Sequence, residues 1–558
     1  MNALTRCAGV MTPLFALRQN LDYGIGDLGA LKKLIDWCHY CGLKFIMLLP
    51  VNACGKDYSP YNAISSVALE PLYLDITDVE LFGSMRFQAP SQRPNCSSSQ
   101  AAFVDYERVF EIKHAFLYEC FRSFSGNSHF KNFVIRNNRW LEGFALFLTL
   151  SERFNTTDYA NWPANCRNFT DAVRLVDPEL KERINYHKFC QWLCDSAWRS
   201  IKRYAQKRKV LLIGDLPFSI SRQSADVWQH PERFSEKWNA GAPPEPSFQD
   251  DEFVKRWGQN WGLPLYDWES QESKGHPWWK QRLELISRYF HGYRLDHALG
   301  YFRVYAFPWN PLLNSEYVSK SPEDVLAEGG ELPRFFPMPD DTEENKAVNF
   351  QHGQKFFQLI KLLRPRLLVV AEDLGVVPDY VRPYLEQIHV PGMKIPHFER
   401  LQPDLRYLPV EEYPACSLAT WATHDHLPLA AMWQKWQQNR HHSGADEWEI
   451  HCFLNFVKCY QDRREPELPD DLHLAAVSQI SSSQSKLLCL QLTDWFKLSI
   501  RYNQPGLQSH KNWSARLPFT VESLHTDQSL VQKTLDIVGI LHKTHRVGAA
   551  KKLSNSAQ

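Results

Sequence analysis

The 558-residue sequence lacks an excess of charge of either sign. Its 63 Lys and Arg balance 63 Asp and Glu, and no long run of one sign occurs. That argues against nucleic acid or an anionic membrane as the main partner, since both need a clustered basic surface. Long apolar runs are missing too, and no window approaches the length that spans a bilayer. Met1–Asn20 has no basic start followed by an unbroken apolar stretch, because Thr12-Pro13 and Arg18 interrupt it, so no secretory leader is read there. A paired cysteine framework is also absent. The 13 cysteines are odd in number and scattered, and neither Cys38–Cys41 nor Cys190–Cys194 has a second pair nearby. Free, buried thiols in a reducing, cytoplasmic compartment are the expectation.

Aromatic residues are abundant, with 19 Trp, 22 Tyr and 33 Phe. Most belong in a core, but flat rings also stack on sugar rings, and the excess of Trp leans toward a carbohydrate ligand. Short apolar runs at Phe45–Leu49, Val210–Ile213, Leu367–Val370, Lys394–Pro396 and Ser417–Trp421 each end in a polar turn. Amphipathic stretches such as Leu28–Cys41, Tyr186–Gln206 and Phe350–Leu363 lie between them. Alternation of strand and helix predicts a parallel sheet with helices outside. The length suits two to four domains or one large barrel with insertions, and a single (β/α)8 barrel over 1–558 is the expectation. A barrel unit averages about 30 residues, so longer gaps require insertions. Residues 80–185 read as an inserted helical subdomain, and 426–487 as a second insertion of helix and loop.

Carboxylates recur where apolar strands end. Asp215 follows Val210–Gly214, Asp296 follows Tyr293-Arg294-Leu295, Glu372 follows Leu367–Ala371, and Asp425 follows Ser417–His424. In a parallel barrel all strand C-termini open on one face, which is where active sites sit. A structural ion pair would explain the Arg294-Leu295-Asp296-His297 cluster alone. Four carboxylates on one rim repel each other, however, and a fold tolerates that for catalysis. The chemistry they suit is retaining glycosyl transfer, in which one carboxylate attacks the anomeric carbon and a protonated one serves the leaving oxygen. Arg294 would keep Asp296 ionised, and burial behind an apolar strand should raise the pKa of Glu372. His424-Asp425-His426 has a competing reading as a metal site, weakened because no other histidines are placed to join it.

Short motifs run in order along the chain. They include Tyr23–Gly29, Ser59-Pro60-Tyr61, Pro71–Asp75, Gly214–Pro217, Ser224–Trp228, Ala240–Pro244 and Gly258–Pro264. Arg294–His297, Glu372–Pro378, Pro391–Lys394, Thr423–Asp425, Asn503–Gly506 and Asn512-Trp513 follow. Together they resemble the 4-α-glucanotransferases of the amylomaltase (disproportionating enzyme) family, glycoside hydrolase family 77 in the α-amylase clan. The resemblance implies Asp296 as nucleophile, Glu372 as acid/base and Asp425 as transition-state stabiliser. It also implies that Tyr61, Asp215, Arg294 and His424 line the subsite of the cleaved glucose, and that Trp261 stacks on the acceptor side. No metal or organic cofactor is implied. The partners would be α-1,4-glucan donors and acceptors, such as maltooligosaccharides, glycogen or starch.

Two stretches depart from the family pattern: His426-Leu427-Pro428-Leu429 after Thr-His-Asp, and Ile395–Arg400, charged where the family is mostly uncharged. They put acceptor preference in question rather than the chemistry. The absence of a starch-binding module at either end argues against the plant-cytosol type. The Gly- and Pro-containing Ala240–Trp261 stretch is expected to be a loop that acts as a lid against water. An α-glucan hydrolase of the same clan, a metal-dependent barrel hydrolase, and a catalytically dead glucan-binding scaffold are the alternatives.

Overall fold

In the computed structural model, residues 5–78, 101–244, 251–505, 509 and 511–548 are described. They contain twelve strands, numbered in chain order: β1 (Cys7–Thr12), β2 (Phe45–Leu48), β3 (Leu211–Leu216), β4 (Phe234–Ala242), β5 (Gln259–Tyr266), β6 (Gly292–Leu295), β7 (Val304–Phe307), β8 (Arg334–Phe336), β9 (Leu368–Ala371), β10 (Gly392–Lys394), β11 (Ser417–Ala419) and β12 (Leu487–Gln491). Eight of them close a barrel in the cyclic order β1-β2-β3-β6-β9-β10-β11-β12, and every adjacent pair is parallel. Parallel neighbours need a crossover. The helices Leu28–Tyr40, Pro178–Lys207, Pro277–Tyr289, Glu343–Leu363 and Val381–Gln387 supply five of these.

The barrel strands are legible as unbroken apolar runs because both of their faces are covered. All four residues of β2 and all five of β12 are buried. Their inward side chains form a small separate core of Cys7, Met11, Phe45, Met47, Ile213, Val370, Met393, Leu418, Leu487 and Cys489. β6 contributes no apolar residue to that layer. Its inward positions, two apart, are Gly292 and Arg294, and a Cβ at 292 would lie 2.5 Å from the Leu368 carbonyl oxygen. Lack of bulk at 292 leaves the barrel closed beneath Arg294.

Boundaries shift where local chemistry dictates. The strand expected at Lys394–Pro396 is Gly392–Lys394, because Pro396 has no N–H for a ladder and restricts the residue before it. The helix expected at Tyr186–Gln206 begins at Pro178, where the Asp177 side chain accepts the Leu180 N–H and proline occupies the first turn. The helix expected at Phe350–Leu363 begins at Glu343 under a Thr342 cap.

The chain between β2 and β3 carries the helices Tyr106–Ser123 and Ser128–Phe154, which pack against Pro178–Lys207; residues 80–100 of the expected insertion lie outside the described residues. Helices Leu429–Asn439, Gly444–Phe456 and Asp470–Ser482 lie between β11 and β12. Among the described residues no helix is long and apolar enough to cross a membrane.

The expectation of a loop over Ala240–Trp261 is corrected. β4, β5, β7 and β8 form an antiparallel sheet in the order β5-β4-β7-β8, and the helix Glu252–Trp257 lies between β4 and β5. Residues 245–250 lie outside the described residues. These strands escaped notice because Asn, Gly and Pro interrupt them and β-bulges break their alternation. Gly241 sits where a Cβ would come within 2.1 Å of the Gln259 carbonyl oxygen, so only glycine permits this close pairing.

Candidate active site

Register builds the centre of the site. Leu295 of β6 pairs with Ala371 of β9, so the next residues, Asp296 and Glu372, leave the barrel side by side. The strand ends are zipped further by Glu372 N–H to the Leu295 carbonyl at 3.0 Å and Ala298 N–H to the Glu372 carbonyl at 2.9 Å. His297 between them has φ 42°, a left-handed conformation costly for a residue with a Cβ. This turn points the His297 N–H at Glu372 Oε2, 2.8 Å away. Leu374 N–H reaches the other oxygen, Oε1, at 3.3 Å.

Arg294 is the hub. It pairs in register with Asp215 of β3 on one side and Val370 of β9 on the other. Its Nη1 lies 2.8 Å from Asp296 Oδ1 and 3.0 and 2.8 Å from the two Asp215 oxygens. Its Nη2 lies 3.9 Å from Glu372 Oε2. One buried guanidinium therefore offsets three carboxylates that would otherwise repel one another. Asp215 lies within β3, not after it as the sequence suggested. It also accepts the Tyr61 hydroxyl at 2.6 Å. Burial raises its carboxyl above the ordinary range, with Arg294 opposing. Asp296 accepts the Phe218 N–H on its second oxygen at 3.2 Å.

Glu372 differs from its neighbours. Burial pushes its carboxyl up to about 8; Arg294 pulls down and Asp296 pushes further up. A carboxyl poised there holds a proton at neutral pH and can release it, as a general acid/base must.

Asp425 completes the set from the segment after β11. His424 Nε2 faces its Oδ2 at 3.2 Å, and Asn503 Nδ2 donates to its Oδ1 at 2.6 Å. Burial alone would raise its carboxyl, but His424 and Asn503 override it and hold the group well below the usual range. Tyr61 stacks on the His424 ring at 4.7 Å and 14°, and Trp513 tilts over both at 5.6 and 5.7 Å. Asn503 belongs to the Asn503–Gly506 motif, which by itself assigns it no role. It lies 78 positions after Asp425, and no local spacing signals the contact.

Trp261 lies on β5, not on a loop, with its ring perpendicular to that of His297 at 4.8 Å and 88°. Phe218 flanks the same imidazole at 5.5 Å. Burial lowers His297 to about 4, so the ring is neutral near pH 7. Of the histidines weighed as metal ligands, His424 faces Asp425, while His426 Nδ1 meets Thr423 Oγ1 at 2.7 Å. Among the described residues, no group of three or more His, Cys, Asp or Glu side chains gathers in ligand geometry. All eight residues expected at the site are thus drawn into one connected set by these contacts, Trp261 through His297.

Comparison with known proteins follows the same line. A family model described as 4-alpha-glucanotransferase matches residues 12–521. The chain is 29% identical over 546 residues to a 4-alpha-glucanotransferase of Chlamydia muridarum, covering 94% of this chain and 93% of that one. It is 30% identical over 526 residues to one of Chlamydia pneumoniae, covering 92% of each. Among solved structures, amylomaltase from Streptococcus agalactiae in complex with acarbose shares the fold at TM-score 0.77 and 22% identity, over 97% of this chain and 100% of that one. The chain belongs to the 4-alpha-glucanotransferases, glycoside hydrolase family 77.

Proposed function

We infer that the site transfers a segment of an α-1,4-glucan to the 4-hydroxyl of a second glucan or of glucose, by double displacement with retention. Asp296 attacks the anomeric carbon while Glu372 protonates the departing glycosidic oxygen. Glu372 then takes the proton from the incoming 4-hydroxyl as the acceptor displaces Asp296. Asp425, held anionic, steadies the positive charge that develops on the ring carbon and oxygen. Tyr61, Asp215, Arg294 and His424 hold the glucose unit that stays, and Trp261 presents its face to the acceptor side.

The observation that carries this reading is the unequal environment of adjacent carboxyls. Asp296 lies 2.8 Å from a guanidinium nitrogen, while Glu372 is pushed up to about 8 by burial. Maltooligosaccharides are the proposed substrates, with glycogen or starch as larger donors. We read 80–185 and 426–487 as insertions that flank this substrate face. The described cysteines are all free, which supports a reducing location such as the cytoplasm.

Product analysis on maltotriose tests the proposal. Glucose plus a ladder of longer oligomers is expected; equimolar maltose and glucose would instead mark a hydrolase. Asp296→Ala should abolish the ladder.

A further inference from the structure

The turn after β9 carries charges on both sides. Val370 faces the barrel interior, and continuing the alternation turns Glu372 inward and Asp373 outward. On that outer side four side chains close on one another. Asp373 accepts from Arg382 Nε at 3.1 Å and from the Met393 N–H at 2.6 Å. Glu399 accepts from Arg382 Nη2 at 2.9 Å and Nη1 at 3.3 Å, and from Lys394 Nζ at 3.0 Å. Lys394 Nζ lies 3.9 Å from Asp373. The Asp373, Lys394 and Glu399 side chains are only 1%, 5% and 6% exposed, while Arg382, at 40%, closes the group against solvent. Two anions and two cations balance, which is the condition under which buried charge is tolerated. Glu399 belongs to Ile395–Arg400, the stretch where this sequence departs from the family pattern by being charged.

We propose that Asp373, Arg382, Lys394 and Glu399 form a positioning quartet behind Glu372, and that Glu399, by balancing the two cations, sets the field in which Glu372 gives and takes its proton. The inference rests on the reading of Glu372 as acid/base. The groups that face Glu372 are Arg294, Asp296 and the His297 N–H from β6 and its end, and Asp373 and the Leu374 N–H from its own segment. Lys394 from β10, Glu399 from the segment after it and Arg382 from the helix Val381–Gln387 act on it through Asp373. The quartet is tied to β10 twice, by the Met393 N–H to Asp373 and by the side chain of Lys394, the last residue of β10, to Glu399. Removing the Glu399 charge leaves a net positive charge beside the turn, which favours the carboxylate of Glu372. Removing the Arg382 charge leaves a net negative one, which favours the acid.

The test is the pH profile of kcat/KM with maltotriose for the parent, Glu399→Gln, Arg382→Gln and the double variant. The alkaline limb should fall by about half to one pH unit in Glu399→Gln and rise by a similar amount in Arg382→Gln. The double variant should return it to the parent position. Glu449→Gln, which removes the nearby partner of Arg400 at 2.8 Å but touches no member of the quartet, should leave the limb in place. Shifts of the same sign, or none, would overturn the proposal, because loss of packing alone cannot move the limb in opposite directions. Should Glu399→Gln fail to fold, the rise in Arg382→Gln at a half-exposed position decides. Glu372→Gln run alongside separates the two claims: full activity there would overturn the acid/base reading itself.

Discussion

Arg294 and Asp296, two residues apart at the end of β6, meet through a single guanidinium nitrogen, 2.8 Å from Asp296 Oδ1. The same nitrogen serves Asp215, and its partner nitrogen approaches Glu372. The planar fork spans three carboxylates; a lysine ammonium, a compact point charge, cannot. Arg294→Lys should keep the fold and lower kcat/KM on the order of 100-fold, in line with the loss of one preorganised charge-stabilising group. Arg294→Gln removes the charge from a buried cluster and should cost about 3–5 kcal/mol. Steady-state kinetics on maltotriose and denaturant unfolding of both variants check these values. A fully active lysine variant would show that the fork is not required.

Glu372 links activity and stability to pH. Its carboxyl is held up to about 8 by burial, against the pull of Arg294 and with a further push from Asp296. If Glu372 supplies the proton for leaving-group departure, as proposed, that proton is present below that value, so kcat/KM should fall about tenfold per pH unit above about 8. The stability sign follows from a folded value above the unfolded one. The contribution is fully present below the ordinary glutamate value of 4.5 and is lost as pH rises through about 8. Glu372→Gln does not ionise, so it should match the parent near pH 4 and exceed its stability progressively toward pH 9, by on the order of a few kcal/mol. Equal Tm values for the two proteins at pH 9 would sink this account.

Asp296 and Glu372 are legible because a barrel strand buried on both faces reads as an apolar run, and an acid ends the run abruptly. Asp296 after Tyr293-Arg294-Leu295 and Glu372 after Leu367–Ala371 both carry that mark. Their adjacency was not legible, since it depends on the register of β6 against β9. β1, with Cys7-Ala8-Gly9 at its start, has too little bulk to announce a strand. β4 and β5 are interrupted by glycine, proline and bulges, so their sequence has the look of a loop although they form a sheet. The family motifs brought Trp261 to notice, but only the fold sets its ring against His297.

Asn503 illustrates a site residue that spacing could not find. It donates to Asp425 Oδ1 at 2.6 Å, and its own N–H is held by the His424 carbonyl at 3.2 Å, so the two segments brace each other. Arg501 adds a bond from Nη2 to the Asp425 carbonyl at 2.7 Å. Asn503→Ala removes one of the side-chain donors that keep Asp425 ionised. A hydrogen bond to a charged group contributes about 1.5–3 kcal/mol, which predicts a loss of roughly 10- to 100-fold in kcat. KM should change little, because the contact is made to Asp425, the carboxylate proposed to stabilise the transition state, and not to the glucan. A drop confined to KM would place Asn503 in substrate binding instead.

On the proposed reading, Trp261 lies on the acceptor side, where it would influence what the intermediate meets. Its indole stands perpendicular to the neutral His297 ring, with Nε1 donating to Gln259 Oε1 at 3.3 Å. The two rings are perpendicular at 88°, and a flat indole at this place is suited to stack on a sugar ring. β5, which carries it, is tied to β4, so the indole sits on a sheet and not on a free loop. A rigid platform lowers the entropy lost when an acceptor docks, and an acceptor in place excludes water from the glycosyl-enzyme. Trp261→Ala should therefore leave formation of the intermediate largely intact while slowing its capture by sugar. The expected result is a transfer rate lower by roughly tenfold and a larger hydrolytic share, read as reducing-end release against the oligomer ladder. Trp261→Phe, which retains a smaller flat ring, should recover much of the transfer. An alanine variant with an unchanged ratio of transfer to hydrolysis would remove Trp261 from the acceptor side, since a ring that merely fills space beside His297 has no means of discriminating sugar from water.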